Sequence, residues 1–206
     1  RDSSVTGVQT CALPIWLVET EADWDGVFAG LGELIETRNG LFLRGHAARV
    51  AEMAETLGQA LGLSDLVRRD IRRAAALQNL GEVLYRGGLD TKPSRLEPAE
   101  KALIHSHPEL GHSLLAGLRG LSEVALIVRH HHENWDATGY PAKLAQDEIP
   151  LGARILHILD ACVAMSSERP YQRRRDWKRI VGELRRQAGK HFDPKLVTLV
   201  IELFAD

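Results

Sequence analysis

From Asp23 onward the apolar residues recur at three- and four-residue intervals, the spacing of one face of an α-helix. Val27, Phe28, Leu31, Leu34 and Ile35 form one stripe. Val50, Met53, Ala54, Leu57 and Leu61 form a second, and Val67, Ile71, Ala74 and Ala75 a third. The segment Arg86 to Arg95 is rich in turn formers and predicts a loop, after which Pro98 suits a first helical turn. Short helices are then expected in close succession. Leu110, Leu114, Leu115 and Leu118 mark one, ended near Gly120, and Ser122 caps the next, which turns Val124, Ala125, Ile127 and Val128 inward. A loop from Asn134 to Glu148 carries Gly139 and Pro141. Pro150 opens a helix with Ile155, Ile158, Leu159 and Cys162 on its buried side. Asp176 caps a helix ending at Gly189, and Asp193-Pro194 starts the last. No segment alternates strictly enough for a strand, so the pattern predicts an all-α multi-helix bundle without internal repeats.

The first residues stand apart. Val5 to Ile15 has neither helical nor strand period, and it resembles the in-frame translation of a short-read sequencing adaptor. Residues 1–15 are therefore set aside as a foreign segment. Residues 16–206 are taken as one domain, with room for a sensory or receiver domain before Trp16. The chain of 206 residues is 44% hydrophobic and 26% charged, which excludes a fibre or a disordered tail. No apolar run approaches the roughly 18 residues of a spanning helix, so membrane insertion is not expected. A net charge of −2 supplies no field for gathering a nucleic-acid polymer. Cys11 and Cys162 lie far apart with no secretory signal, which favours a reducing cytoplasm over a disulfide framework.

Candidate chemistry sits in the nine histidines. His46 opens a helix, His107 precedes Pro108, His131 and His132 close a helix beside Glu133, and Asp160 lies within a later helix. Neighbouring residues on a helix point about 100° apart, so His131 and His132 cannot share one ligand direction but can serve two metals side by side. Imidazole and carboxylate together suit iron, manganese or zinc, and a metal pair can bind a phosphodiester and activate water against it.

The segment His131-His132-Glu133-Asn134-Trp135-Asp136-Ala137-Thr138-Gly139-Tyr140-Pro141 resembles the signature of HD-GYP domains, an all-α branch of the metal-dependent HD phosphohydrolases. The likeness continues through Glu148-Ile149-Pro150-Leu151, Ala153-Arg154-Ile155, Asp160, Arg169-Pro170-Tyr171 and Phe192-Asp193-Pro194. Upstream it includes Gly45-His46, Arg49-Val50, Lys92-Pro93, Glu100 and His107-Pro108 with Gly111. It covers residues 36–206. The resemblance implies an HD-type bundle with a GYP loop, hydrolysis of cyclic di-GMP or a related dinucleotide, and one or two divalent metals, iron or manganese ahead of zinc. It implies ligands at His46, His107, His131, His132 and Asp160. It also implies that Gly139, Tyr140 and Pro141 form a substrate or partner loop, associated in the family with diguanylate cyclase partners, and that Arg169 faces phosphate.

The departures fall on the chemistry. Where the family carries its namesake His-Asp pair, this chain has Gln78 and Asn79, and Glu82 stands at the position of a phosphate-assisting lysine. A neutral amide replaces a carboxylate that would bridge two cations. Val163 replaces a further aspartate, and Ala137 stands where glycine is usual after Asp136. The sequence thus predicts a kept scaffold with impaired catalysis, acting as a nucleotide-responsive or partner-binding module and holding one metal or none. The alternative is an active phosphodiesterase using the remaining ligands, with Glu82 turned inward as a replacement carboxylate. His105, His112, His157 and His191 match no ligand position and are expected on the surface or in helix packing, and His130 is expected to be exposed. Gly139 is expected to supply a positive-φ turn. Arg154 is expected to tie its helix to the loop before it. The basic series from Arg173 to Lys190 reads as a solvated helix face.

Overall fold

The computed structural model describes residues 20–39, 44–85, 89, 92, 95–168 and 174–204. Among these, eight α-helices follow in order: α1 (Glu21–Asn39), α2 (His46–Ala60), α3 (Asp65–Leu77), α4 (Pro98–Leu115), α5 (Ser122–His130), α6 (Leu151–Ser166), α7 (Trp177–Gln187) and α8 (Pro194–Phe204). The described residues contain no strand, only isolated bridges at Asp136–Ala145 and Ala188–Phe192. The all-α expectation holds. No helix of the described residues is long and apolar enough to cross a membrane. The foreign-looking residues 1–15, most of the Arg86 to Arg95 loop, and Arg169 with its Pro170-Tyr171 lie outside the described residues.

One core runs through α2 to α8. Val50, Ala54 and Leu57 of α2 meet Ile71, Ala74 and Ala75 of α3, Val124, Ala125 and Val128 of α5, and Ile155, Ile158 and Leu159 of α6. Each fully buried Leu or Ile contributes about 1.5–3 kcal/mol by leaving water. Several stripe members lie outside it: Val27, Leu31 and Leu34 of α1, Leu61 and Val67 are exposed, while Phe28 and Ile35 are buried. α1 covers only one flank of the bundle, so half of its apolar face is left to solvent.

Two sequence expectations are corrected. Ser122 does not cap α5 but is its first residue, after Leu121. The short helices expected between Pro98 and Gly120 are one helix, and α4 runs unbroken from Pro98 to Leu115 with Pro108 inside it. Asp176 caps α7 as expected, accepting from the Arg179 amide at 2.8 Å, and Ser64 caps α3 by accepting from that of Val67 at 3.4 Å.

Candidate metal centre

Pro108 explains how His107 is aimed. Proline has no N–H for the carbonyl four residues back, so the Ile104 carbonyl is released from the helical ladder. His107 Nδ1 donates to it at 2.8 Å. His131, just past the end of α5, repeats the device: helix ends leave carbonyls unpaired, and its Nδ1 donates to Val128 at 2.7 Å. A carbonyl only accepts, so both protons sit on Nδ1 and both Nε2 atoms present lone pairs. These face one another at 3.3 Å.

Burial first, then the neighbouring His107, pushes the His131 imidazole down to about 3. Burial, then His131 and His107, holds His132 well below the ordinary range. Neutral, lone-pair-bearing rings pressed together are a poor arrangement unless a cation lies between them. The ligand atoms of His107, His131 and His132 all lie within 4.8 Å of one another. Tautomers fixed by second hydrogen bonds are typical of metal-ligating histidines. The donor set therefore fits a divalent metal.

The other expected ligands gather on a separate side. His46 Nε2 lies 2.8 Å from Asp160 Oδ1, and Gln78 Nε2 donates to the same oxygen at 3.2 Å. Gln78 ends α3 and is buried, and its Oε1 has no hydrogen-bond partner among the described residues. Asn79 follows, half-buried. Glu82 is buried in the 3-10 turn Leu80–Leu84 but does not belong to the convergent ligand group. That turn lies tight on α4, where a Cβ on Gly81 would sit 2.0 Å from the His107 carbonyl oxygen. His46, Asp160, Gln78, Asn79 and Glu82 are thus neighbours of the histidine triad rather than members of it.

Residues that the sequence left without a role set this geometry. The Glu36 carboxylate accepts from the Gly45 amide at 2.8 Å and from that of Ala47, so an acid from α1 caps the N-terminus of α2 and fixes His46. Arg38 donates to the Glu82 and Tyr85 carbonyls at 2.8 and 2.6 Å. Glu133 is buried and accepts from the Ala142 and Leu144 amides at 2.6 and 3.2 Å, tying the GYP loop to the His131-His132 turn. The Tyr140 amide donates to the His132 carbonyl at 3.1 Å. None of these contacts leaves a periodic signal. Only the placement of Glu133 inside the motif hinted at a role.

Several expectations for the histidines and the loop change. His130 is buried beside Glu133 at 3.5 Å, not exposed. His157 is no bystander, since its Nδ1 donates to the His131 carbonyl at 3.0 Å and its Nε2 lies 3.1 Å from Asn134 Oδ1. Burial above all lowers its pKa to about 4. Gly139 does not have positive φ; its smallness is needed because a Cβ would lie 2.2 Å from the Asn134 nitrogen and 2.5 Å from the His132 oxygen. The left-handed positions of the loop are instead Ala137, Lys143 and Gln146, at φ 66°, 56° and 51°. Arg154 does tie helix to loop, bonding Asp147 at 2.7 Å and Asp193 at 2.9 Å. Lys178, Arg179, Arg185, Arg186 and Lys190 are exposed on α7 and just beyond it.

Comparison with known proteins agrees with this arrangement. The HD domain model matches residues 31–196. The chain is 37% identical over 159 residues to the 3'3'-cGAMP-specific phosphodiesterase 2 of Vibrio cholerae, covering 76% of this chain and 30% of that protein. It is 34% identical over 176 residues to the cyclic di-GMP phosphodiesterase response regulator RpfG of Xanthomonas campestris, covering 83% and 46%. This chain therefore spans less than half the length of these relatives. The crystal structure of a cyclic GMP-AMP-specific phosphodiesterase of Vibrio cholerae, V-cGAP3, superposes with a TM-score of 0.71 at 19% identity, covering 88% of this chain and 49% of that one. An HD-GYP-type protein of Bdellovibrio bacteriovorus, Bd1817, gives 0.66 at 17% identity, covering 89% and 61%. With its helical bundle, its buried histidine triad and its GYP loop, the chain belongs to the HD domain family, in the HD-GYP branch that its motif resembles.

Proposed function

We propose that this chain is a cyclic-dinucleotide signalling module of impaired phosphodiesterase activity, holding one divalent metal on His107, His131 and His132. The observation that carries the reading is the bond from Gln78 Nε2 to Asp160 Oδ1, made beside the one from His46. A family member would bring imidazole and carboxylate ligands to this side. Here an amide N–H and an imidazole satisfy Asp160 by hydrogen bonding, so its charge is matched without a second cation. A metal on the triad would supply Lewis acidity toward a phosphodiester. The chain's own residues aim the His107 and His131 rings through the Ile104 and Val128 carbonyls, burial keeps His131 and His132 neutral, and Glu133 keeps the GYP loop over them. The relatives named for cyclic di-GMP and cGAMP point to a cyclic dinucleotide as the ligand. The end of the loop at Pro141, with Ala142 and Lys143 exposed, is where a diguanylate cyclase-type partner would bind. Iron or manganese is the expected ion, with zinc behind them.

A second reading has its own support. The triad is intact, so turnover of the dinucleotide by the remaining ligands is the enzyme alternative. Metal content after anaerobic loading with iron(II) or manganese(II), followed by a cyclic di-GMP hydrolysis assay, separates the two. The impaired module holds one ion per chain and turns over little. Gln78→His with Asn79→Asp raises the content to two and restores turnover, with Glu82→Lys added if substrate affinity stays low. Two ions in the parent, with hydrolysis that His132→Ala abolishes, give the function to the enzyme.

A further inference from the structure

The Tyr140 ring lies between two histidines. His105, on the exposed side of α4, stacks on it with centroids 4.1 Å apart and planes 7° from parallel. On its other side Tyr140 stacks on His132 at 4.9 Å and 29°. His132 in turn touches His131 at 4.0 Å and His107 at 5.1 Å. A ladder of near-parallel rings therefore runs from the surface to the metal triad. Its outer rung is exposed, and Tyr140 covers only one face of that rung. Lys101, one helical turn earlier on α4, is also exposed, and its charge is felt at the His105 ring.

A flat face of this kind is what nucleobases seek. Stacking on side-chain rings is the sequence-tolerant way proteins hold bases, and Lys101 places a cation beside the platform for a phosphate. We propose that His105, backed by Tyr140, is a stacking platform for one purine base of a cyclic dinucleotide whose phosphodiester faces the triad. This proposal rests on the dinucleotide reading above and assigns His105 a ligand contact in place of the surface or helix-packing role expected from the sequence. Purines fit best because stacking grows with ring area. His105 contributes no hydrogen-bond code for guanine over adenine in this arrangement, so the platform accepts either.

The test uses the whole chain, chelator-treated so that hydrolysis does not intervene, with cyclic di-GMP by calorimetry and its 2-aminopurine analogue by fluorescence. In the parent the analogue's emission is quenched on binding. His105→Ala weakens binding about tenfold, the lower part of the range for one stacked base, and loses the quench at an unchanged Tm. His105→Phe, which keeps a flat ring, retains affinity and quench. Binding and quench unaltered in His105→Ala would overturn the platform while leaving the dinucleotide reading in place. A lower Tm in His105→Ala with affinity still lost in His105→Phe would make the ring a packing residue and also overturn it. A parent that binds no cyclic dinucleotide either in chelator or loaded with manganese(II) overturns both.

Discussion

Glu133→Ala tests whether the GYP loop is held to the histidine turn by one carboxylate. Its side chain is fully buried, with Oε1 2.6 Å from the Ala142 nitrogen and Oε2 3.2 Å from the Leu144 nitrogen. Hydrogen bonds to a charged acceptor contribute about 1.5–3 kcal/mol each. Ala142 is exposed and would regain water, whereas half-buried Leu144 would do so poorly. The expected loss is therefore about 3 kcal/mol rather than the sum of two full bonds. For a domain of this size that lowers Tm by roughly 6–12 °C. Glu133→Gln keeps an acceptor for one amide but sets its own NH2 against the other, so it falls between parent and alanine variant. The assay is thermal unfolding of the chelator-treated protein, with tryptic cleavage after exposed Lys143 as a local reading. The alanine variant should be cut faster below its melting transition, because the loop opens before the bundle does. An alanine variant that melts within about 2 °C of the parent, with unaltered cleavage, refutes the latch.

Two further outcomes follow from the same geometry. The folded-state pKa values of His131 and His157, about 3 and about 4, lie below the ordinary histidine value, so the unfolded chain takes up their protons first as pH falls. Stability is whole above about 6.5 and declines toward 4. At pH 5 each of these histidines costs roughly 2 kcal/mol. The urea midpoint of metal-free protein should fall from pH 7 to 5, less steeply in His157→Phe, and a flat profile contradicts the buried neutral rings. Ala137→Gly should raise Tm by a few degrees, since a left-handed alanine at φ 66° costs about 1–2 kcal/mol and glycine's extra backbone freedom gives part of this back. An unchanged or lower Tm would mean that the turn tolerates the methyl group without strain.

The helices were legible where burial has a period, as on α5 and α6, whose inward residues are those the spacing selects, and on α3 apart from exposed Val67. α1 misled because only Phe28 and Ile35 of its stripe meet the bundle, and nothing local distinguishes a covered apolar residue from a bare one. Pro108 shows local chemistry overruled. Proline is a breaker by its own chemistry, but here the carbonyl it frees is taken by the side chain next to it. At the site, the motif supplied His107, His131 and His132, which converge. What braces the site lay beyond the sequence, because the Ile104 and Val128 carbonyls are backbone atoms and Glu36, Arg38 and His157 act through isolated hydrogen bonds that leave no periodic signal.

The replaced dyad also bears on the stability of the chain without metal. Asp160 keeps about a third of its side chain exposed and shares one oxygen between the His46 ring and the Gln78 amide, so its carboxylate is solvated by side-chain donors and water. A carboxylate at position 79 would change that balance. Like charges held close in a partly buried site raise one another's pKa and oppose folding until a cation or a proton intervenes. The double variant Gln78→His with Asn79→Asp should therefore melt below the parent in chelator and above it with saturating metal, whereas the parent gains only what its triad alone binds. This crossing distinguishes a site whose second half has been rebuilt around an amide from one that is merely weak. If the double variant is as stable as the parent in chelator, then positions 78 and 79 do not bring charge up to Asp160, and the placement of the lost dyad fails with it.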